Sequence, residues 1–310
     1  MTGNDDEGVF LRKGTIVADR WEVQGKLGEG GFGSVYEVFD QKANDTFAMK
    51  CESLTADTPA LTMEIAILRR LQGKRHIVRL VGCGQVPEKF TYLVMSLLGK
   101  TLSSLVKKER NRRFSTPTAV RVGKQCLQAL QDLHGIGFIH RDIKPSNFAL
   151  GRHQGTTDRI VYVLDFGLSR QFVNEKGEIR TPRDYAGFRG TMRYAAINAH
   201  KRIELGRVDD LWSLFYMTIE FIRGDLPWRK CEDHASHIEL KAKTKPAELL
   251  KGCPDEFLNY YQYLSTITYA ECPDYQTLHS IHSQVLMRLK VRESDPYDWE
   301  KGDDRKFFPF

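Results

Sequence analysis

Cysteine is scarce in this chain and never clustered. The six cysteines among 310 residues, at 51, 83, 126, 231, 253 and 272, are widely spaced and form no CxxC unit. This pattern argues against a zinc site and for the reduced, mostly buried thiols of an intracellular protein, with cytoplasm expected and nucleus open. Long apolar runs are missing as well. None approaches the roughly 18 residues of a membrane span, so no membrane partner is expected. The opening MTGNDDEGVF is acidic and lacks an apolar core, which excludes reading it as a secretory signal, and Gly3 is not at the myristoylation position. There is no repeat and no low-complexity tract. The net charge of +6 favours acidic partners but is too diffuse to argue for nucleic acid, and none is expected. The densest charge run, KKERNRR at 107–113, reads as a solvated loop.

A composition of 41% hydrophobic and 28% charged residues suits one large globular unit, or two lobes sharing a cleft. The first third reads as strands with one helix. WEVQGKLGEG, SVYEVFD, TFAMKCES, HIVRLVGCG (76–84) and TYLVMSLL (91–98) carry strand patterns; in SVYEVFD, Val35 and Val38 flank Tyr36 and Glu37. Residues 61–71 repeat Leu61, Ile65, Leu68 and Leu71 at helical spacing. From about residue 100 the pattern turns helical, over 118–134, 210–222, FLNYYQYLSTI and TLHSIHSQVLMRL, with 210–222 apolar nearly all round and expected at the centre of its lobe. The expected architecture is α+β. A β-rich lobe at 15–95 and an α-rich lobe at 100–291 are joined by a connection at 96–99, with peripheral extensions at 1–14 and 292–310.

HRDIKPSN at 140–147, followed by DFG at 165–167, supplies the chemistry. It places Asp142, Lys144, Asn147 and Asp165 within a short span: an acceptor for a hydroxyl proton, a cation to neutralise a transferring phosphate, and two hard oxygen donors for Mg2+. That is the polar set for moving a phosphoryl group from ATP to a hydroxyl. Either tripeptide alone would be weak; their order and the five-residue step from Asp142 to Asn147 make chance a poor account.

Gly28, Gly30, Gly31 and Gly33, with Val35, fit G-x-G-x-x-G-x-V, where glycines let backbone N–H groups approach phosphate. A strand-like segment follows, which points to a flap between two strands and away from a dinucleotide fold, where a helix would follow. One hairpin later, Ala48 and Lys50 share a strand face: Ala48 leaves room for an adenine ring and Lys50 reaches the phosphates. Glu64 lies on the inward stripe of 61–71, where a carboxylate is costly unless paired, and Lys50 is its expected partner; exposure at the stripe's edge is the competing reading. Met95 lines the back of the adenine pocket, compatibly with core packing, and the backbone at Ser96, Leu97 and Leu98 meets the adenine edge.

Together these motifs resemble the eukaryotic protein kinase fold over about residues 15–290. Ala196-Ile197-Asn198 stands where such kinases carry APE, and resembles the SIN of the casein kinase 1 superfamily. KLGEGGFGSVYEV, GFIHRDIKPSNFALGR and DDLWSLFYM are most similar to its tau-tubulin kinase branch. The resemblance implies a bilobal serine/threonine kinase using ATP and Mg2+, in which Thr191 bridges Asp142 and Lys144, and Asp210 anchors the backbone of the 140–142 segment. It implies that Arg193 binds a substrate anion, with an internal salt bridge as the equal alternative. It further implies activity without phosphorylation of the 168–190 segment, although Arg141 could bind an activating phosphate. Substrates are expected to be proteins with Ser or Thr near acidic or phosphorylated residues, cytoskeletal ones by analogy with the family name. Arg170, Arg180, Arg183, Arg189, Arg193 and Lys201 supply the matching charge unless they pair within the loop. A monomer is expected. A second anion-binding residue, sought near Lys241, is not placed. The alternative function is a catalytically weak pseudokinase acting as a binding scaffold; small-molecule kinases and dinucleotide oxidoreductases fit the motifs less well.

Overall fold

Alternating side chains along 21–53 build the first half of the molecule. The computed structural model describes residues 9–30, 33–56, 59–152 and 159–301; the outer parts of both expected extensions, and Gly31, lie outside them. Strands β1 (Ile16–Val17), β2 (Trp21–Gly30), β3 (Gly33–Asp40), β4 (Asp45–Ser53), β5 (Leu80–Val86) and β6 (Phe90–Ser96) form one antiparallel sheet in the order β1-β2-β3-β4-β6-β5. One face carries a core of Trp21, Val23, Tyr36, Val38, Phe47, Met49, Tyr92 and Val94. Val35 and Val38, three positions apart, fall on opposite faces of β3, because side chains share a face only at every second residue. Tyr36 is wholly buried; its hydroxyl donates to Val9 O at 2.6 Å and accepts from Leu11 N, tying residues 9–11 to the sheet.

The other face of β4 presents Ala48, Lys50 and Glu52. In register, Met95 lies opposite Ala48 and Leu93 opposite Lys50. Helix α1 (Leu61–Leu71) buries Leu61, Glu64, Ile65 and Leu68. No side chain at Ala60 caps this helix. The Glu52 carboxylate does so from the sheet, accepting from Ala60 N at 2.7 Å and Leu61 N at 3.1 Å, which satisfies two orphan donors and sets a negative charge at the positive helix end.

Two strand boundaries differ from the sequence pattern for one reason. The strand expected at 76–84 begins only at Leu80, and the one expected to reach Leu98 ends at Ser96. The missing start hydrogen-bonds to a later segment instead, Val163 N donating to His76 O, and just past the missing end Gly99 N donates to Leu150 O of the same segment. That segment, where Phe148–Leu150 pairs with Val161–Val163, brings the chain back. The first compact unit therefore comprises the residues up to Gly99 together with Ala149–Ser169; the second holds Lys100–Phe148 and the residues from Arg170 on.

The second unit is helical: α2 (Leu102–Lys108), α3 (Thr116–Gly135), α4 (Ile197–His200), α5 (Arg207–Arg223), α6 (His234–Lys243), α7 (Pro246–Leu249), α8 (Glu256–Thr266) and α9 (Tyr275–Arg288). Helix α3 starts two residues ahead of its apolar stripe, because the Ser115 hydroxyl caps it and Pro117 is tolerated in a first turn. It packs against α5 and α9, and α5 is buried along almost its whole length, as its all-round apolarity requires. The basic run at 107–113 closes α2 and turns through left-handed Asn111 and Arg112, with its cations exposed. The molecule is thus mixed α+β, as expected. Among the described residues no helix is long and apolar enough to cross a membrane.

Candidate active site

The residues singled out from the sequence fall into two sets, one in each unit. In the first, Gly28 and Gly30 sit on β2 opposite Val35 and Gly33 of β3, so the glycine motif is a hairpin followed by a strand. Gly33 has φ of +114°, and a Cβ there would lie 2.0 Å from Cys51 O; only glycine fits this approach. Val35 is the register partner of Lys50.

Lys50 Nζ stands 2.6 Å from Glu64 Oε2 and 3.0 Å from Asp165 Oδ1. The Lys50 and Glu64 side chains are 8% and 3% exposed, whereas Asp165 keeps 30% of its side chain open. Burial works against the lysine's charge, but the two carboxylates outweigh it and raise its pKa. Asp165 adopts a left-handed backbone (φ 63°) and also accepts from Gly167 N. Ala48 and Met95 are buried on the Lys50 side of β4 and β6. Leu97 and Leu98 are half-buried and line a pocket of about 520 Å³ together with Phe47, Ile77 and Tyr162. Ala48, Lys50 and Met95 do not line it.

In the second unit everything converges on the Asp142 carboxylate. Thr191 donates to Oδ1 at 2.7 Å, Lys144 Nζ lies 2.6 Å from Oδ2, and Asn147 Nδ2 donates to the Asp142 carbonyl at 2.9 Å and to Oδ2 at 3.3 Å. With its nitrogen turned to Asp142, the Asn147 amide retains Oδ1 as an acceptor. The segment is held from below by Asp210, in the first turn of α5, which accepts from His140 N (2.6 Å), Arg141 N (2.8 Å) and His134 Nε2 (3.0 Å). Burial alone would raise the Asp210 pKa; these hydrogen bonds and the histidines hold it below the usual carboxylate range.

Arg193 Nη1 contacts Glu220 Oε1 at 3.3 Å, and the Tyr194 hydroxyl donates to Glu220 Oε2 at 2.5 Å. The internal pair therefore exists, yet over a third of the Arg193 side chain is exposed. It borders a pocket of about 410 Å³ that Lys144, Thr191, Arg229 and His237 also line. Arg229 was not foreseen: nothing in LPWRK distinguishes it from a surface cation, and only the fold brings it to Arg193. Lys241 is no anion ligand, because it is buried and donates to backbone carbonyls.

The expected arginine cluster is partly self-neutralised. Glu204, 3% exposed, takes Arg170 Nε at 3.0 Å and binds Arg183 through both Nε and Nη2. Burial pushes the Arg141 pKa down to about 10, with Arg170 and Arg183 adding repulsion and Asp210 and Glu204 opposing it.

The protein kinase domain family matches residues 21–266. A probable serine/threonine-protein kinase of Dictyostelium discoideum is 40% identical over 95% of this chain and 59% of its own length. The serine/threonine-protein kinase spe-6 of Caenorhabditis elegans is 33% identical over 92% of this chain and 76% of its own. Casein kinase I homolog 3 of Schizosaccharomyces pombe is 34% identical over 92% and 66%. The fold and the matched span define a protein kinase domain, and the chain belongs to that family. Its relatives include serine/threonine kinases and a casein kinase I homolog, and it spans about three fifths of the length of the first of them.

Proposed function

We propose that this protein is a serine/threonine kinase that transfers the γ-phosphoryl group of ATP to protein hydroxyls with magnesium present, and that within the casein kinase 1-like kinases it is nearest the tau-tubulin branch. The observation that carries the reading is the Asp142 carboxylate, held on one oxygen by Thr191 and on the other by Lys144 and Asn147.

The residues fit the implied ligands. Among the described residues no cluster of three or more His, Cys, Asp or Glu could hold a metal alone. Magnesium suits that circumstance, because it is bound through one or two protein oxygens plus phosphate. Asp165 and the Asn147 Oδ1 are the oxygens offered. When bound, the metal would neutralise charge on the phosphates. Gly28, Gly30 and Gly33 offer backbone N–H groups to the phosphates. Lys50, held by Glu64, orients them. Ala48, Met95 and the backbone at Leu97 and Leu98 take the adenine. Asp142 accepts the proton of the attacking hydroxyl, and Lys144 offsets charge at the moving phosphoryl group. A positioned general base contributes about 10²–10⁴-fold, so Asp142→Asn should lose about that factor in a radiolabel transfer assay. Undiminished transfer by Asp142→Asn defeats the assignment.

The pocket with Lys144, Arg193 and Arg229 supports a preference for acidic or phosphorylated residues near the target hydroxyl. A peptide array preferring basic flanks would contradict it. Activity without activation-segment phosphorylation finds support in Glu204, a fixed carboxylate already bonded to Arg170 and Arg183. Cytoskeletal substrates rest on the tau-tubulin resemblance alone.

A further inference from the structure

Residues 191–196, TMRYAA, carry Thr191 and Arg193, and the carbonyls of Met192, Arg193 and Ala195 are held from outside the loop. Lys241, on the last turn of α6, is 6% exposed. Its Nζ donates to Met192 O at 3.0 Å and to Ala195 O at 2.6 Å, and it lies 3.1 Å from His200 Nε2. One amino group thus gathers two carbonyls three residues apart. The rings of Trp228 and Tyr216 stand 5.2 Å and 5.3 Å from it, within cation–π range. Among the described residues no carboxylate pairs with it.

The neighbouring histidines complete the arrangement. His200 Nε2 stands 3.1 Å from both Lys241 Nζ and Met192 O, and His200 Nδ1 lies 3.0 Å from His234 Nδ1. The carbonyl between the two that lysine holds, Arg193 O, accepts from Trp228 Nε1 at 2.8 Å. Three of the loop's carbonyls are therefore taken by two buried side chains, while its Thr191 hydroxyl is on Asp142 and its Arg193 and Tyr194 are on Glu220.

We propose that Lys241 is a positioning residue for the protein substrate: its buried amino group, through its N–H donors, fixes the 191–196 loop and thereby sets where Thr191 and Arg193 stand. This rests on the kinase reading above and adds to it a residue that touches neither substrate. A buried lysine without an acid partner is an expensive way to fill space, since burying a charge is penalised wherever a neutral side chain would serve. Here its N–H donors answer convergent carbonyls, a task no apolar residue of that size performs.

The test uses the full chain with Lys241→Met, Lys241→Gln and Trp228→Phe. With an acidic Ser-containing peptide and ATP as substrates, Lys241→Met should raise the peptide KM about tenfold, with the ATP KM within twofold of wild type, a split that corresponds to about 1.4 kcal/mol on the peptide side alone. Lys241→Gln, which keeps two N–H donors, should recover part of the loss. Trp228→Phe, which keeps the ring and drops the donor to Arg193 O, should raise the peptide KM about threefold, a fraction of one hydrogen bond's net worth. Parallel changes in the ATP and peptide constants, or an unchanged peptide KM, overturn the proposal. Should Lys241→Met not fold, the other two variants decide on the same readout. Amide hydrogen exchange separates this idea from the kinase reading. Faster exchange at 191–196 with α1 unaffected upholds the positioning role even if no peptide is phosphorylated, and unchanged exchange there rejects it.

Discussion

The hydroxyl of Thr191 donates to Asp142 Oδ1 at 2.7 Å, and the residue before it, Gly190, lies so close to Arg141 that a Cβ would come within 2.3 Å of the carbonyl oxygen. The loop that delivers the threonine and the segment that carries the aspartate are in direct backbone contact. Thr191→Val keeps the shape and removes the donor. Its expected effect is a drop in kcat of about 10–100-fold, read against a net hydrogen bond to a charged group of about 1.5–3 kcal/mol, with little change in the ATP KM. A loss confined to KM for ATP would contradict this placement.

Glu64 is the more buried partner of Lys50. Removing one member of a buried pair costs about 3–5 kcal/mol where the survivor is left alone, but Asp165 still holds the lysine, so Glu64→Gln should cost about 1–2 kcal/mol by denaturant unfolding. The ATP KM should rise while peptide affinity holds. An unaltered ATP KM in a folded variant would remove the orienting role of the pair.

Gly33→Ala meets both a left-handed φ and the Cys51 carbonyl. Backbone strain of this kind is worth about 1–3 kcal/mol, so calorimetry should find a lower melting temperature, together with weakened nucleotide binding. A variant as stable as wild type would show that the β2–β3 hairpin is free to shift.

Glu204→Gln leaves Arg170 and Arg183 without their carboxylate. The predicted result is a fall in peptide phosphorylation of several-fold and a loss of about 1–3 kcal/mol of stability, as for other hydrogen bonds to charged groups. Phosphatase treatment of the wild-type protein should change its rate little; a large drop would mean that a phosphate, and not Glu204, organises these arginines.

Burial pushes the Lys241 pKa down to about 7 from an ordinary 10.5. Between those values the unfolded chain holds a proton that the folded chain has released. The lysine's contribution to stability is therefore complete above 10.5 and is lost as pH falls through about 7. The groups facing it are His200, His237, Cys231 and the Tyr216 and Trp228 rings; burial and the nearby Lys241 depress His200 to about 3, so it stays neutral throughout. The melting temperature of wild type relative to Lys241→Met should rise from pH 6 to pH 9, and a flat difference would contradict the depressed value.

Most of the two site sets was legible because the chemistry is local in the chain. Asp142, Lys144 and Asn147 sit within six residues, and a carboxylate on the apolar stripe of 61–71 had one plausible cation to meet. The glycine hairpin could be told from a dinucleotide motif because period-two alternation resumes at Ser34. What stayed hidden depends on long-range packing. His76 and Ile77 look like the start of a strand, yet their hydrogen bonds go to residues 161–163, nearly ninety positions later. Glu204 carries no mark separating it from a surface acid until two arginines close on it. No second anion ligand could be placed near Lys241 because a lysine's sequence context does not say whether carbonyls or phosphates will face it.

The return of residues 149–169 to the first unit bears on how the protein is made. A nascent chain that has reached Gly99 already contains every strand of the sheet and both Lys50 and Glu64, but Asp165 and the strand that meets His76 and Ile77 have yet to be synthesised. Completion of that half must wait until roughly residue 170 has cleared the ribosome. A recombinant fragment cut at Gly99 would accordingly leave a buried lysine short of one acid and His76 and Ile77 without the backbone partners they meet at residues 161–163.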